Sequence, residues 1–187
     1  DSDMLDDYEE VVEYSTPPTE ADADSDGLED GQEIKIEELE GADPLERDVF
    51  VEVDYMSNHR PSESALERVE ESFSESPIRS PSGTGVDLHI FIDEEIERMD
   101  EVDSSTQDEL MEEYSQRDQK GYHHAIAVHN ATLDGENVGG FAQSGEFVFQ
   151  AENPAEEDYP DGWVSSVFAH ELGHSMGLDA GEYTGID

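Results

Sequence analysis

The 187-residue sequence predicts an α+β domain of mixed α/β layers. Three observations carry that expectation. Segments with the two-residue period of strands alternate with segments at helical spacing; an apolar helix lies near the end of the chain; and the 34% of residues that are hydrophobic cluster within those segments.

Residues 1–21 (DSDMLDDYEEVVEYSTPPTEA) are acidic and broken by Pro17-Pro18, and read as a poorly ordered lead-in with Val11, Val12 and Tyr14 able to dock locally. From Asp48 the pattern alternates: Val49, Val51, Val53 and Tyr55 face one way, Phe50, Glu52, Asp54 and Met56 the other, as in a strand. After Pro61, Leu66, Val69 and Phe73 recur at helical spacing, with Ser62 as N-cap. A Ser/Pro/Gly loop (76–85) follows, then a strand with Leu88, Ile90 and Ile92 opposed to His89, Phe91 and Asp93. STQDELMEEYSQ opens with capping-box spacings, Ser105 to Asp108 and Thr106 to Glu109, and forms the next helix. YHHAIAVHNATL reads as one further strand. VGGFAQSGEFVFQ supplies one or two more, with Gly139-Gly140 marking a bulge or a close backbone approach.

Charge bounds the function. Fifty-two acidic residues face eight basic ones, a formal net charge of −44. Nucleic acid and anionic membrane surfaces are therefore poor partners, because their phosphates would be repelled. Self-repulsion of that size is screened to within ~3 Å only near 1 M salt, so the composition reads as salt-adapted and predicts loss of structure in dilute buffer. Cysteine is absent, which removes disulfides and thiolate ligands. No run approaches the ~20 apolar residues of a membrane span. Because the chain opens on Asp1, it reads as a processed form or an excerpt.

Two motifs carry chemistry. In DADSDGLEDGQE, Asp22, Asp24, Asp26, Gly27, Asp30 and Glu33 match the spacing of a calcium loop. Alternate carboxylates point at a hard cation, Gly27 permits the turn, Leu28 offers a carbonyl and Glu33 can bind through both oxygens. Aspartate abounds in this chain, yet glycine and glutamate both falling in place argue against coincidence. No helix enters the loop, so it is not an EF-hand. The stretch from Asp24 through Gly41-Ala42-Asp43-Pro44 to Asp48 resembles calcium-binding repeats of the thrombospondin type 3 kind, which implies a calcium-binding segment over residues 22–48.

The second motif is VFAHELGHSMG. Helix residues four apart share a face, so His170 and His174 can present two imidazoles to one zinc ion, with Gly177 continuing that stripe. Glu171 lies about 100° round the helix, suited to act as a base on a metal-bound water. Val164, Val167, Phe168, Ala169, Leu172 and Met176 make the helix apolar nearly all round, hence buried, where unpaired histidines would be costly.

HELGHSMG resembles the metzincin clan of zinc endopeptidases, which His170, Glu171, His174 and Gly177 match position by position. The resemblance covers the chain from about Val49, and implies a metzincin-like zincin domain over 49–187 with a twisted mixed sheet, a buried active-site helix and an edge strand at VGGFAQ that pairs with peptide substrate. Together with the calcium-type lead-in, the chain is similar to secreted haloarchaeal metalloproteases of this clan, implying an extracellular, high-salt setting. It departs from the pattern at Ala180, where the third zinc ligand is expected, and no methionine turn follows. Asp179 and Asp187 are the nearest substitutes, with Glu182, His123, His124 and His129 also open; the simplest account is a sequence that stops before the catalytic domain is complete. The leading reading is a zinc- and calcium-dependent endopeptidase with Glu171 as general base. The alternative is a calcium-dependent binding or surface module on a catalytically inactive, protease-like domain.

Overall fold

A computed structural model describes residues 2–115, 121–151 and 161–178. By backbone proximity the chain forms two units. One takes in the described residues of Asp1–Phe50, Glu70–His89 and Gln119–Gly121; the other takes in those of Val51–Val69, Ile90–Asp118 and Tyr122–Asp187.

Most of the regular structure belongs to a mixed five-stranded sheet. Its strands are β1 (Asp48–Met56), β2 (Asp87–Ile96), β3 (Tyr122–Val128), β6 (Gly140–Gln143) and β7 (Glu146–Gln150), in the order β2-β1-β3-β7-β6. β3 and β7 run parallel, whereas β6 returns antiparallel to β7 through Ser144-Gly145, with Gly145 at φ +82°. β6 is therefore an edge strand, as expected for VGGFAQ. β1 is interior and buried on both faces, so Glu52 and Asp54 are buried beside Val51 and Val53. A strand covered on both sides loses the polar face that strict alternation implies.

In the second unit, β7 directs alternate residues into two layers. Val148 joins Met56, Ile126, Val128 and Phe141 in a core closed by Leu110 and Met111 of helix α3 (Ser104–Tyr114). On the other face, Phe147 and Phe149 each meet Phe168 of helix α4 (Asp161–Ser175) edge-on, with ring centroids 5.1 Å apart. Burying such side chains stabilises the fold by roughly 1.5–3 kcal/mol each. Helix α2 (Glu63–Ser74) begins as expected, with the Ala65 amide donating to Ser62 Oγ at 3.1 Å.

Three expectations are corrected. The cap of α3 is Asp103, not Ser105 or Thr106: its carboxylate accepts from the backbone N–H and the hydroxyl of Thr106, both at 2.9 Å, and its charge suits a helix N-terminus. YHHAIAVHNATL is not one strand. β3 ends at Val128, and β4 (Ala131–Leu133) pairs instead with β5 (Glu136–Val138) through the turn residues Asp134 and Gly135, at φ +53° and +81°. Asp-Gly between two short runs favours that hairpin because both turn positions take positive φ. Finally, α4 is not buried all round. Val164, Phe168, Leu172 and Ser175 form its buried stripe, while His170 is exposed, and Met176, past the last helical residue, is 42% exposed. A helix that serves a site has to leave one side open.

In the first unit, residues 2–21, expected as a poorly ordered lead-in, carry a π-helix over Glu9–Tyr14 and bury Asp3, Glu10 and Thr16. The acidic loop follows, then the short helix α1 (Asp30–Lys35), with Leu28 and Leu39 as apolar anchors. The expected boundary at residue 22 is thus not a boundary of this unit. Among the described residues no helix is long and apolar enough to cross a membrane.

Candidate active site

Helix α4 is placed at both ends. At its start, Ser62 and Ser64 donate hydroxyls to the Asp161 carboxylate at 2.7 and 2.6 Å, holding the Asp161 carboxyl below its ordinary range. At its end, the Gly177 N–H donates to the His174 carbonyl at 2.9 Å and the Leu178 N–H to the Gly173 carbonyl at 3.0 Å. That pair of bonds is a Schellman closure around Gly177, at φ +87°. Gly177 therefore terminates the helix rather than continuing the histidine stripe. The turn carries the Leu178 carbonyl back to His174, whose Nδ1–H donates to it at 2.7 Å. With that proton fixed, the Nε2 of a neutral His174 ring is its acceptor.

His174 Nε2 faces His170 Nε2 at 3.1 Å, with the two rings perpendicular. Two imidazole nitrogens this close can both reach one zinc ion at ~2.0–2.1 Å, and a hydrogen bond from the remote ring nitrogen is the outer contact that orients a zinc-ligating histidine. The residues present fit the metal. Partial desolvation and the neighbouring His174 lower the pKa of His170.

Glu171 sits on the buried side of α4, 6% exposed. Desolvation pushes its carboxyl up to about 7, against the pull of His174. Its partner surface is β6: a Cβ added at Gly140 would lie 2.7 Å from Glu171 Cγ and 3.1 Å from Oε1, as well as 2.5 Å from the Val148 carbonyl. The expected close approach at Gly139-Gly140 is thus real, and it brings the Glu171 carboxylate against the backbone of the edge strand.

The profile of Metallo-peptidase family M12B Reprolysin-like matches residues 51–179. The chain belongs to this family. No curated protein matches it. The metallopeptidase is accordingly a zinc metalloendopeptidase of the metzincin type, its mixed sheet and helices those of a metzincin-like zincin domain, and its substrates are peptides or proteins.

Among the described residues no third His, Asp or Glu joins the histidine pair. Asp179, Glu182 and Asp187 lie outside the described residues. The other histidines have separate partners. His123 Nδ1 meets Ser175 Oγ at 3.0 Å, and burial lowers its pKa to about 4. His124 Nδ1 meets Glu52 at 2.9 Å, and His129 Nδ1 meets His59 Nε2 at 3.0 Å.

The acidic loop of the metallopeptidase resolves into distinct clusters. Oxygens of Asp22, Asp24 and Asp26 lie within 4.8 Å of one another, as do those of Asp26, Glu33 and Asp48. Asp24 Oδ2 and Glu33 Oε1 are buried without hydrogen-bond partners. Desolvation, reinforced by the neighbouring carboxylates, raises Asp24 to about 8 and Glu33 to about 10. Asp48, which sequence reasoning missed, binds the Asp26 carboxylate through its amide at 2.8 Å and His89 through its own carboxylate at 2.6 Å. It stands fifteen positions beyond Glu33, outside any loop template. Asp30 is elsewhere: its carboxylate clusters with Asp3 and Glu10, although the motif assigns it to the loop.

Proposed function

We propose that His170 and His174 hold the zinc of a secreted, salt-adapted endopeptidase in which Glu171 is the general base. The observation that carries this reading is the convergence of the two Nε2 atoms at 3.1 Å, with His174 fixed by the Leu178 carbonyl and Glu171 packed on the edge strand. Zinc, when bound, supplies Lewis-acid polarisation of the scissile carbonyl and lowers the pKa of a water toward ~7. An extended peptide adds to the outer edge of β6 through backbone hydrogen bonds, and Gly140 keeps that strand close to the base. Glu171 takes the proton of the attacking water and passes it to the leaving amine. Asp179 and Asp187 are the candidates the sequence offers for a third ligand.

In the same reading, Asp22, Asp24, Asp26 and Glu33, joined by Asp48, bind calcium. The support is three carboxylates at loop spacing, two buried oxygens without partners, and a glycine at φ +106° where the turn needs one. The excess of 52 acidic over 8 basic residues supports a high-salt setting.

Zinc content and casein cleavage, measured in molar NaCl with and without chelator, test the proposal. Zinc-dependent cleavage that disappears in Glu171→Gln, with zinc retained, is expected. Zinc bound without cleavage would favour the binding module on an inactive protease-like domain.

A further inference from the structure

Asp3, Glu10 and Asp30 come from three separate places: the start of the described chain, the π-helix and the first residue of α1. Their ligand oxygens lie within 4.8 Å of one another. All three side chains are buried, at 0%, 1% and 0% exposure. Asp3 Oδ2, Glu10 Oε1 and Asp30 Oδ2 each lack a hydrogen-bond partner, and so does the buried hydroxyl of Thr16. That hydroxyl is near enough to Asp30 to favour its charged form, though outside hydrogen-bonding geometry.

Buried polar atoms are rarely left without partners, and three carboxylates sharing one dry space repel one another. Among the described residues no Lys or Arg side chain is paired with them: Lys35, on α1, donates to the Met4 carbonyl and approaches the half-exposed Glu9 at 3.9 Å. The donor set is hard oxygen throughout, which suits calcium. The backbone is shaped to bring the groups together. A Cβ at Gly31 would lie 1.8 Å from the Asp3 carbonyl oxygen, so only glycine lets that segment lie against α1.

We propose that Asp3, Glu10 and Asp30, with the Thr16 hydroxyl, form a second calcium site, separate from the Asp22–Glu33 loop, that fastens the N-terminal segment to α1. The site does not depend on the loop being a calcium site, because it shares no ligand with the Asp22, Asp24, Asp26, Glu33 and Asp48 clusters. Its role is a strap: the ion joins residues seven and twenty positions apart, so the order of residues 2–16 depends on it.

The test uses the full 187-residue chain in molar NaCl, with calcium alone as the probe. Equilibrium dialysis should show that Asp3→Asn/Glu10→Gln binds one calcium fewer than the unaltered chain, whereas Asp24→Asn/Glu33→Gln keeps that ion. Hydrogen exchange on the unaltered chain is the second readout and needs no variant. Amides of residues 6–16 should slow by ~tenfold or more when calcium replaces chelator, since local opening then requires release of the ion. Equal calcium stoichiometry in a natively folded Asp3→Asn/Glu10→Gln would overturn the site, leaving shared protons as the answer to the buried charge. Calcium-independent exchange of residues 6–16 would overturn it too.

Discussion

The histidine pair of α4 and the acidic clusters of the N-terminal segment are both arrangements for a cation, but they are built in opposite ways. His170 and His174 are the proposed zinc ligands, one of them oriented by a hydrogen bond that needs no metal. Asp3, Glu10, Asp24, Asp30 and Glu33 are buried acids with oxygens that have no partner. The first arrangement is preorganised, and its ligands cost little when the ion leaves. The second stores electrostatic repulsion that only protons or a cation relieve. On the proposed reading, the same chain joins a site whose metal serves chemistry to clusters whose cation serves folding.

The largest effect that sharpens this contrast is on rate. Glu171→Gln keeps the shape of the side chain and removes the base. Proteolysis should fall by ~10²–10⁴-fold, the typical worth of general-base catalysis, with zinc content and the circular dichroism spectrum unchanged. Cleavage at the unaltered rate would remove Glu171 from the mechanism.

Gly177 tests preorganisation itself. Alanine at φ +87° costs ~1–2 kcal/mol and shifts the Leu178 carbonyl that holds His174. Losing such an outer contact typically costs ~10–100-fold in metal affinity. Competition with a chromophoric chelator should show weakened zinc binding in Gly177→Ala; unchanged affinity would mean that the ring needs no such support.

For the acidic clusters the expected change is in stability. Removing calcium from saturating concentration, ~100-fold above its dissociation constant, costs about 2.7 kcal/mol per site. Melting in molar NaCl should therefore drop on addition of chelator and fall further in dilute buffer, where a net charge of −44 is poorly screened. A melting temperature indifferent to both would contradict the cation-dependent half of the comparison.

How far the sequence foretells these arrangements depends on how local each one is. Strand and helix periods give β1, β2, α2 and α4 because burial imposes them residue by residue. The histidine pair proposed to hold zinc is equally local, two imidazoles one helical turn apart. Gly177 is visible as a motif glycine, but its work, ending the helix so that Leu178 can reach His174, depends on backbone geometry that residue spacing does not encode. Asp103 lost to Ser105 and Thr106 as the expected cap because four cap-forming residues stand in a row and only tertiary position chooses among them. Asp134-Gly135 did carry a hairpin signal, which a long apolar run obscured. Asp48 and the Asp3, Glu10 and Asp30 cluster are the least foreseeable: in a chain with 52 acids, only folding reveals which few are buried together.

Asp54 provides the smallest effect and the control. It too is a buried carboxylate, 4% exposed, and desolvation raises its pKa from 3.8 to about 6, with Glu52, Asp93 and Glu94 adding to the rise. Yet it accepts the Glu94 amide at 3.1 Å, and it belongs to none of the acidic clusters. Because the folded pKa lies above the unfolded one, the contribution of Asp54 to stability is fully present below about pH 4 and is lost as pH rises through about 6. Asp54→Asn keeps an oxygen for the Glu94 amide and removes the charge. It should raise stability at pH 8 by ~1–2 kcal/mol, within the ~3 kcal/mol ceiling that a two-unit shift sets, and leave stability at pH 4 unchanged. The gain should also be the same with calcium or chelator, since no cation answers this group. A gain seen only in chelator would place Asp54 with the cation-dependent acids and blur the line between the two kinds of site.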